Sequence, residues 1–347
     1  SVMLGMLTDK FKTPVCVSGT HGKTTTTAMI TQIMLEDGKD PSAIIGGKLP
    51  VIGGNSRYGK SDFMICEACE YVDTFLQLNP SISVITNIDA DHLDYFKTLD
   101  NIILSFSKFA SQTSDMIIAN GDNKNTMLSL KDIDKSHIIT FGLSSENDCY
   151  ATDLNENDTV CEDFTLNYKG KPLCRVNLSV PGEHNMYNAL AAAATALYIG
   201  VSPESISKAL NDFSGVHRRF EILGNFDGIT VADDFAHHPT ELKAVLSSAI
   251  KMGYKNVWPI FQPHTYSRTY NHFNDFVDVL SIPKNLIMTE ILAVREKNIY
   301  NISTKDLAVK LPGSVWFKTF EEVADYVMEK ASSGDLILTI GGGDIYK

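Results

Sequence analysis

The sequence predicts an α/β protein in two parts. Residues 1–215 carry a mostly parallel sheet with a β-hairpin region, and residues 216–347 form a second, smaller α/β unit. Three observations predict this. Apolar runs of strand length alternate with helix-length segments through both parts. The stretches richest in glycine, carboxylate and histidine directly follow those runs, at the carboxyl ends of strands where parallel sheets gather ligands. A chain of 347 residues is also long enough for two domains of roughly 100–200 residues each.

The first strand, Pro14-Val15-Cys16-Val17, runs into Ser18-Gly19-Thr20-His21-Gly22-Lys23, and Thr24 to Thr27 then open a helix. Met29, Ile30, Ile33 and Met34 give that helix an apolar face, and Gly38 ends it. Further strands are expected at 63–66, 82–86, 116–119 and 138–141, with a helix at 101–110. From 149 to 180 the pattern changes to alternation around Lys169-Gly170-Lys171, an antiparallel hairpin. The turn Pro181-Gly182-Glu183-His184-Asn185 leads into an alanine-rich helix ending at Gly200, and Ser202 with Pro203 starts the next. That helix fades at Phe213-Ser214-Gly215, the expected domain boundary. Beyond it, strands are expected at 229–232, 256–261, 285–289 and 335–340. Pro239 opens a helix that stops at Gly253, and Thr319 with Glu322 forms a capping box for another reaching Ala331.

Hydrophobic residues at 44% and charged residues at 21% are the proportions of an ordinary globular chain. Thirty Lys and Arg against forty-two Asp and Glu leave a net charge of −12 with no basic block, which speaks against nucleic acid and an anionic membrane surface. An anionic substrate therefore needs a local cluster of positive groups. The longest apolar stretch, 189–199, is too short for a bilayer, so no membrane insertion is expected. The N-terminus lacks the basic start and cleavage pattern of a signal peptide, and because it does not begin with Met a further upstream segment is expected. Six cysteines without disulfide-like spacing fit a reducing, cytoplasmic location. Cys66 and Cys69 have redox or zinc spacing, but with no second pair they read as a tight strand end.

Gly19 and Gly22 let the backbone turn tightly and aim its N–H groups at an anion. The helix N-terminus adds unpaired donors and the positive end of its dipole. Lys23 then reaches the terminal phosphates of a nucleoside triphosphate, and the Thr24 hydroxyl holds magnesium. The spacing is compressed, Gly19 preceding Gly22 by three positions where the common loop has about five. Two carboxylate-rich strand ends follow, Glu67-Ala68-Cys69-Glu70 and Asp89-Ala90-Asp91-His92-Leu93-Asp94, whose oxygens suit magnesium. Asp89 and Asp94 serve equally well as helix caps, whereas Glu67 and His92 read as chemical. In the second part, Asp233-Asp234-Phe235-Ala236-His237-His238-Pro239 reads as a transition-metal set or as a loop touching substrate or nucleotide, and the loop is preferred. His264 and Arg268 offer an anion site after the strand that ends at Phe261.

Together these stretches resemble the Mur ligase family. The resemblance rests on Gly19-Thr20-His21-Gly22-Lys23-Thr24-Thr25, Thr86-Asn87-Ile88-Asp89-Ala90-Asp91-His92, Gly182-Glu183-His184-Asn185 with Asn188, residues 215–220, 233–241 and 261–269, in the family's order along almost the whole chain. Thr20-His21 and the Asp-Asp-Phe-Ala-His-His-Pro-Thr-Glu string resemble the alanine-adding branch. The resemblance implies three domains: a UDP-binding domain first, expected ahead of this sequence in the full-length protein, then a central ATP-binding ligase domain and a C-terminal Rossmann-like one. It implies ATP and Mg2+, with UDP-N-acetylmuramate and L-alanine as substrates. The lactyl carboxylate is phosphorylated by ATP, and the amine of L-alanine then displaces phosphate from the acyl phosphate.

Carried over residue by residue, the family pattern puts Lys23, His92 and Arg219 in catalysis and Thr24, Glu67 and His92 around the metal. Gly19 to Thr25, His184, Asn185, Asn188, Arg219 and Asp234 would bind ATP, while His237, His264 and Arg268 would face the substrates. Three positions depart from the pattern. Cys69-Glu70-Tyr71-Val72 replaces a more acidic string, Thr265 stands where an arginine is common, and Phe235 where tyrosine is frequent. The competing expectations are another amide ligase of the family, a non-catalytic nucleotide switch, and a metallohydrolase built on the Asp and His strings.

Overall fold

The computed structural model describes residues 2–154 and 161–346. They fall into two compact units, one ending at Val216 and the other starting at His217. The strands of the first are β1 (Thr13–Ser18), β2 (Ser42–Leu49), β3 (Gly54–Arg57), β4 (Phe63–Glu67), β5 (Ile82–Ile85), β6 (Met116–Asn120), β7 (Ile138–Gly142), β8 (Cys149–Thr152), β9 (Cys161–Tyr168) and β10 (Lys171–Pro181). Its helices are α1 (Val2–Thr8), α2 (Lys23–Glu36), α3 (Leu93–Phe96), α4 (Leu99–Ser111), α5 (Lys124–Ser129), α6 (Glu183–Tyr198) and α7 (Pro203–Asn211).

The ten strands form one sheet in the order β10-β9-β8-β7-β6-β5-β1-β4-β2-β3. Pairing is parallel from β8 through β2 and antiparallel at the two margins. Side chains alternate across each strand. Val15 and Val17 therefore point to one face, under α2, α6 and α7, while Cys16 points to the other, under α4. Both faces are covered, which is why β1, β4 and β5 read as short unbroken apolar runs. The hairpin expected near Lys169-Gly170 pairs β9 with β10 and continues the same sheet. Part of that expected region, 155–160, lies outside the described residues.

Helix α2 is buried nearly all round, including Thr24 to Thr27, and packs beside α6. Ala191, Ala192, Ala193 and Ala194 of α6 are fully buried, so a helix of small side chains lies against the sheet at close range. Strands β2 and β3 go beyond the sequence expectation, which names no element between Gly38 and the strand at 63–66. Strand β4 pairs with β2 at Ser42, Ala43 and Ile44, and β3 pairs with it at Ala43, Ile44 and Leu49, the register shifting in between.

The second unit holds β11 (Glu221–Phe226), β12 (Ile229–Asp234), β13 (Val257–Phe261), β14 (Ile287–Met288), β15 (Val315–Trp316) and β16 (Leu336–Ile340) in the order β11-β12-β16-β13-β14-β15. Only β11 is antiparallel to its neighbour. Helices α8 (Pro239–Lys251), α9 (Tyr266–Asn271), α10 (Phe273–Leu280), α11 (Thr304–Lys310) and α12 (Phe320–Lys330) complete it. Leu242, Leu246, Phe276 and Leu307 cover one face, and Val323 and Val327 the other. Strand β12 runs two residues beyond its expected end, so Asp233 and Asp234 are its last residues. Among the described residues no helix is long and apolar enough to cross a membrane.

Candidate functional site

The turn between β1 and α2 is shaped by two glycines. Gly19 has φ 136°, and a Cβ there would lie 2.0 Å from Thr86 Oγ1. Gly22 has φ 85°, and a Cβ there would lie 2.3 Å from Asn188 Oδ1. No side chain larger than hydrogen fits either place. The end of β5 braces the turn: Thr20 N–H donates to Asn87 O (3.0 Å), His21 N–H to Asn87 Oδ1 (2.9 Å), and the Thr86 hydroxyl to His21 O (2.6 Å). Gly22 is the N-cap of α2 and brings no side-chain oxygen to its first turn. The leading N–H groups of a buried helix are thus left to an anion.

Lys23, first residue of α2, curls back over the turn. Its ammonium donates to Gly19 O and Thr20 O and lies 2.9 Å from Glu70 Oε2 and 3.2 Å from Oε1. Burial works against that charge, but Glu70 first, then Cys69 and Glu67, outweigh it and raise the lysine's pKa. Glu70 is itself buried, and its Oε1 lies 4.0 Å from His92 Nε2. The His92 backbone is left-handed (φ 53°), and Tyr71 packs on the ring with centroids 4.6 Å apart. The Thr24 hydroxyl donates to Glu67 Oε2 (3.1 Å), and the Gly46 N–H also donates to that carboxylate. A Cβ at Gly46 would come within 2.9 Å of both Glu67 and Thr24. Thr24 and Glu67 therefore present hard oxygens side by side, the donor type magnesium takes, and His92 lies beyond Glu70.

Of the three residues expected at the adenine, His184 is exposed and the two asparagines are buried. Asn185 Nδ2 donates to Pro181 O (2.7 Å) and Asn188 Nδ2 to Asn185 Oδ1 (3.1 Å). Asn188 Oδ1 accepts from the Thr26 hydroxyl (3.2 Å) and sits directly behind Gly22. The asparagines tie α6 to α2 beneath the turn.

In the second unit the tandem arginines divide. Arg218 is turned inward: Nε donates to Asp233 Oδ2 (2.8 Å), a terminal nitrogen to Gly341 O (2.7 Å), and its guanidinium lies 4.4 Å from the Tyr346 ring centre. Arg219 forms no hydrogen bond or ion pair among the described residues and lies 5.5 Å from the Phe235 ring centre. Asp234 accepts backbone N–H bonds from Ala236 (2.7 Å) and Phe220 (2.8 Å). Burial pushes its carboxyl up to about 6, against the opposing charge of Arg219 and those two bonds. In the string that includes Asp233 and His238, these two residues serve structure. Asp233 takes Arg218 and the Thr339 hydroxyl, and the His238 ring accepts from Thr240 N–H as the cap of α8. His237 and His264 face each other with ring centres 5.2 Å apart, and Arg268 approaches His264 Nδ1 at 3.0 Å.

Sequence reasoning passes over Glu70, Asn87 and Gly46 as individual site residues. Glu70 and Asn87 lie inside strings that it does pick out, but nothing in residue type tells Glu70 from Glu67. Gly46 carries no signal, because its role is its backbone N–H and its missing side chain.

A profile of the Mur ligase middle domain matches residues 17–196, and one described as the Mur ligase, glutamate ligase domain matches residues 218–343. This chain belongs to the Mur ligase family. Mur ligases are ATP-dependent enzymes that form amide bonds, and this chain is such a ligase. It is 42% identical to the UDP-N-acetylmuramate–L-alanine ligase of Caldanaerobacter subterraneus subsp. tengcongensis, across 100% of this chain and 76% of that protein. The ligase of the same name from Acetivibrio thermocellus is also 42% identical, across 100% and 75%. The crystal structure of UDP-N-acetylmuramate-alanine ligase from Thermotoga maritima superposes with a TM-score of 0.81 at 26% identity, covering 98% of this chain and 74% of that one. A murein peptide ligase from Psychrobacter arcticus shares the fold, with a TM-score of 0.73 at 24% identity over 99% and 77% of the two chains.

Proposed function

We propose that this Mur ligase joins L-alanine to the lactyl carboxylate of UDP-N-acetylmuramate with hydrolysis of ATP, in the cytoplasm, as a step in peptidoglycan precursor synthesis. The observation that carries the reading is 42% identity, along the entire chain, to ligases of that name. The phosphate turn supplies the chemistry the reading needs. The open N-terminus of α2 and the Lys23 ammonium hold the nucleotide's terminal phosphates and offset the charge that develops there. Thr24, Glu67 and His92 would hold magnesium, which when bound neutralises phosphate charge. A carboxylate oxygen of the sugar substrate attacks the terminal phosphorus and ADP leaves. The alanine amine then attacks the acyl carbon, loses its proton, and phosphate departs.

In this reading Arg219 meets phosphate, Asp234 the ribose hydroxyls and His184 the adenine, while Asn185 and Asn188 act from behind, by fixing the turn. His237, His264 and Arg268 receive the amino acid, the arginine taking its carboxylate. The test is phosphate release from ATP with UDP-N-acetylmuramate and L-alanine supplied singly and together, with the product weighed by mass spectrometry. Release that requires both, with a product heavier by one alanyl residue, is expected. Release indifferent to L-alanine, or faster with a peptide or another amino acid, overturns the assignment.

A further inference from the structure

We propose that Glu70 is an internal stand-in for the nucleotide's phosphate: it holds the Lys23 ammonium over the turn and must yield it when a triphosphate enters. The proposal rests on the phosphate-turn reading above and adds a residue to which that reading gives no task. Three observations carry it. The Glu70 carboxylate meets the lysine with both oxygens, at 2.9 and 3.2 Å, and its side chain is only 3% exposed. The remaining ammonium contacts are Gly19 O and Thr20 O, carbonyls of the turn itself, so the lysine is fully engaged by the protein's own groups. Beyond Glu70, at 4.0 Å, lies His92 Nε2, a second group able to face the carboxylate once the lysine has moved.

The electrostatics set the sign. A buried carboxylate against the lysine cancels much of its attraction for phosphate, and the same negative charge repels the incoming anion. In return the lysine is held at the turn in one place, so little side-chain freedom remains to be lost on binding. Glu70 therefore lowers nucleotide affinity while keeping the lysine in position. It is a positioning residue, acting through Lys23.

Binding of a non-hydrolysable ATP analogue to the intact chain, measured by calorimetry in EDTA, tests this. Glu70→Gln should bind about tenfold more tightly than wild type. Glu70→Asp, which keeps the charge on a shorter arm, should lie between the two. In a Lys23→Ala background the Glu70→Gln gain should shrink to the part due to direct repulsion of the anion, which a merely structural role for Glu70 would not produce. Circular dichroism checks that each variant is folded. Should Glu70→Gln not fold, Glu70→Asp decides the matter: tighter binding than wild type supports the proposal, and equal or weaker binding overturns it. Unchanged or weaker binding by a folded Glu70→Gln overturns it too, as does a gain of undiminished size in Lys23→Ala. A wild-type chain that binds no analogue overturns the nucleotide reading itself, and the latch with it.

Discussion

Two neighbouring arginines show how little residue type says about role. Arg218 and Arg219 are indistinguishable in sequence, yet one is hydrogen-bonded into the second unit and the other forms no such bond among the described residues, acting on Asp234 only by its charge. Arg218→Ala strips the buried Asp233 of its partner and should cost about 3 kcal/mol of stability, read by denaturant titration. Arg219→Ala should change stability by less than about 0.5 kcal/mol while weakening ATP-analogue binding about tenfold. The reverse pattern would exchange their assignments. Asp234 predicts a pH signature. Its folded pKa of about 6 lies above the ordinary 3.8, so the folded chain keeps a proton that the unfolded chain releases. The resulting stabilisation is complete below pH 3.8 and is lost as pH rises through about 6, on the order of 3 kcal/mol in all. Denaturant titrations between pH 4 and 7 should show that slope in wild type and a flatter one in Asp234→Asn, and parallel slopes would refute it. The tight turn itself is legible in the sequence, because glycine, lysine and threonine at that spacing have few other uses, and Gly19 and Gly22 do take positive φ. Glu70 is not, because burial and pairing are properties of the fold and leave no mark on a carboxylate's identity.

Among the elements, the proposed nucleotide site makes its sharpest demand on the first turn of α2. Gly22→Ala must force a side chain to φ 85° and into Asn188, so it should lower the melting temperature and abolish analogue binding together. A variant that melts lower yet binds normally would mean the helix end is not the anion cradle. Elements with their own local signals can be read from sequence. Ser202 caps α7 and Thr319 with Glu322 closes a capping box at α12, as the sequence predicts, whereas the box of His238 with Glu241 at α8 emerges only in the structure. Elements defined by partners escape such reading. The sequence reading names no strand at β2 or β11, and each is paired with its neighbours, β2 with β4 and β3 and β11 with β12. The strand expected at 285–289 shrinks to Ile287–Met288, since β15 offers it just two residues to pair with.

At the scale of the whole molecule, each unit has its own core. The clusters around Val15, Ile30 and Phe106 draw on residues up to Val216, and those around Leu242, Phe261 and Val323 only on residues beyond His217. Residues 217–347 expressed alone should therefore fold cooperatively, with a single denaturant transition and dispersed NMR spectra. A molten or aggregated product would show that this core is incomplete. The alanine run of α6 has a wider reach than its plain chemistry suggests. Those buried methyl groups let α6 pack closely against α2 and the sheet around it, and Asn188 on the same helix backs Gly22. A leucine at Ala191 or Ala194 would displace the helix at a cost of about 1–3 kcal/mol and carry Asn188 with it. A genetic screen for loss of cell-wall synthesis would then recover lesions at residues with no polar atom to offer, and each would look enzymatic while being a matter of girth.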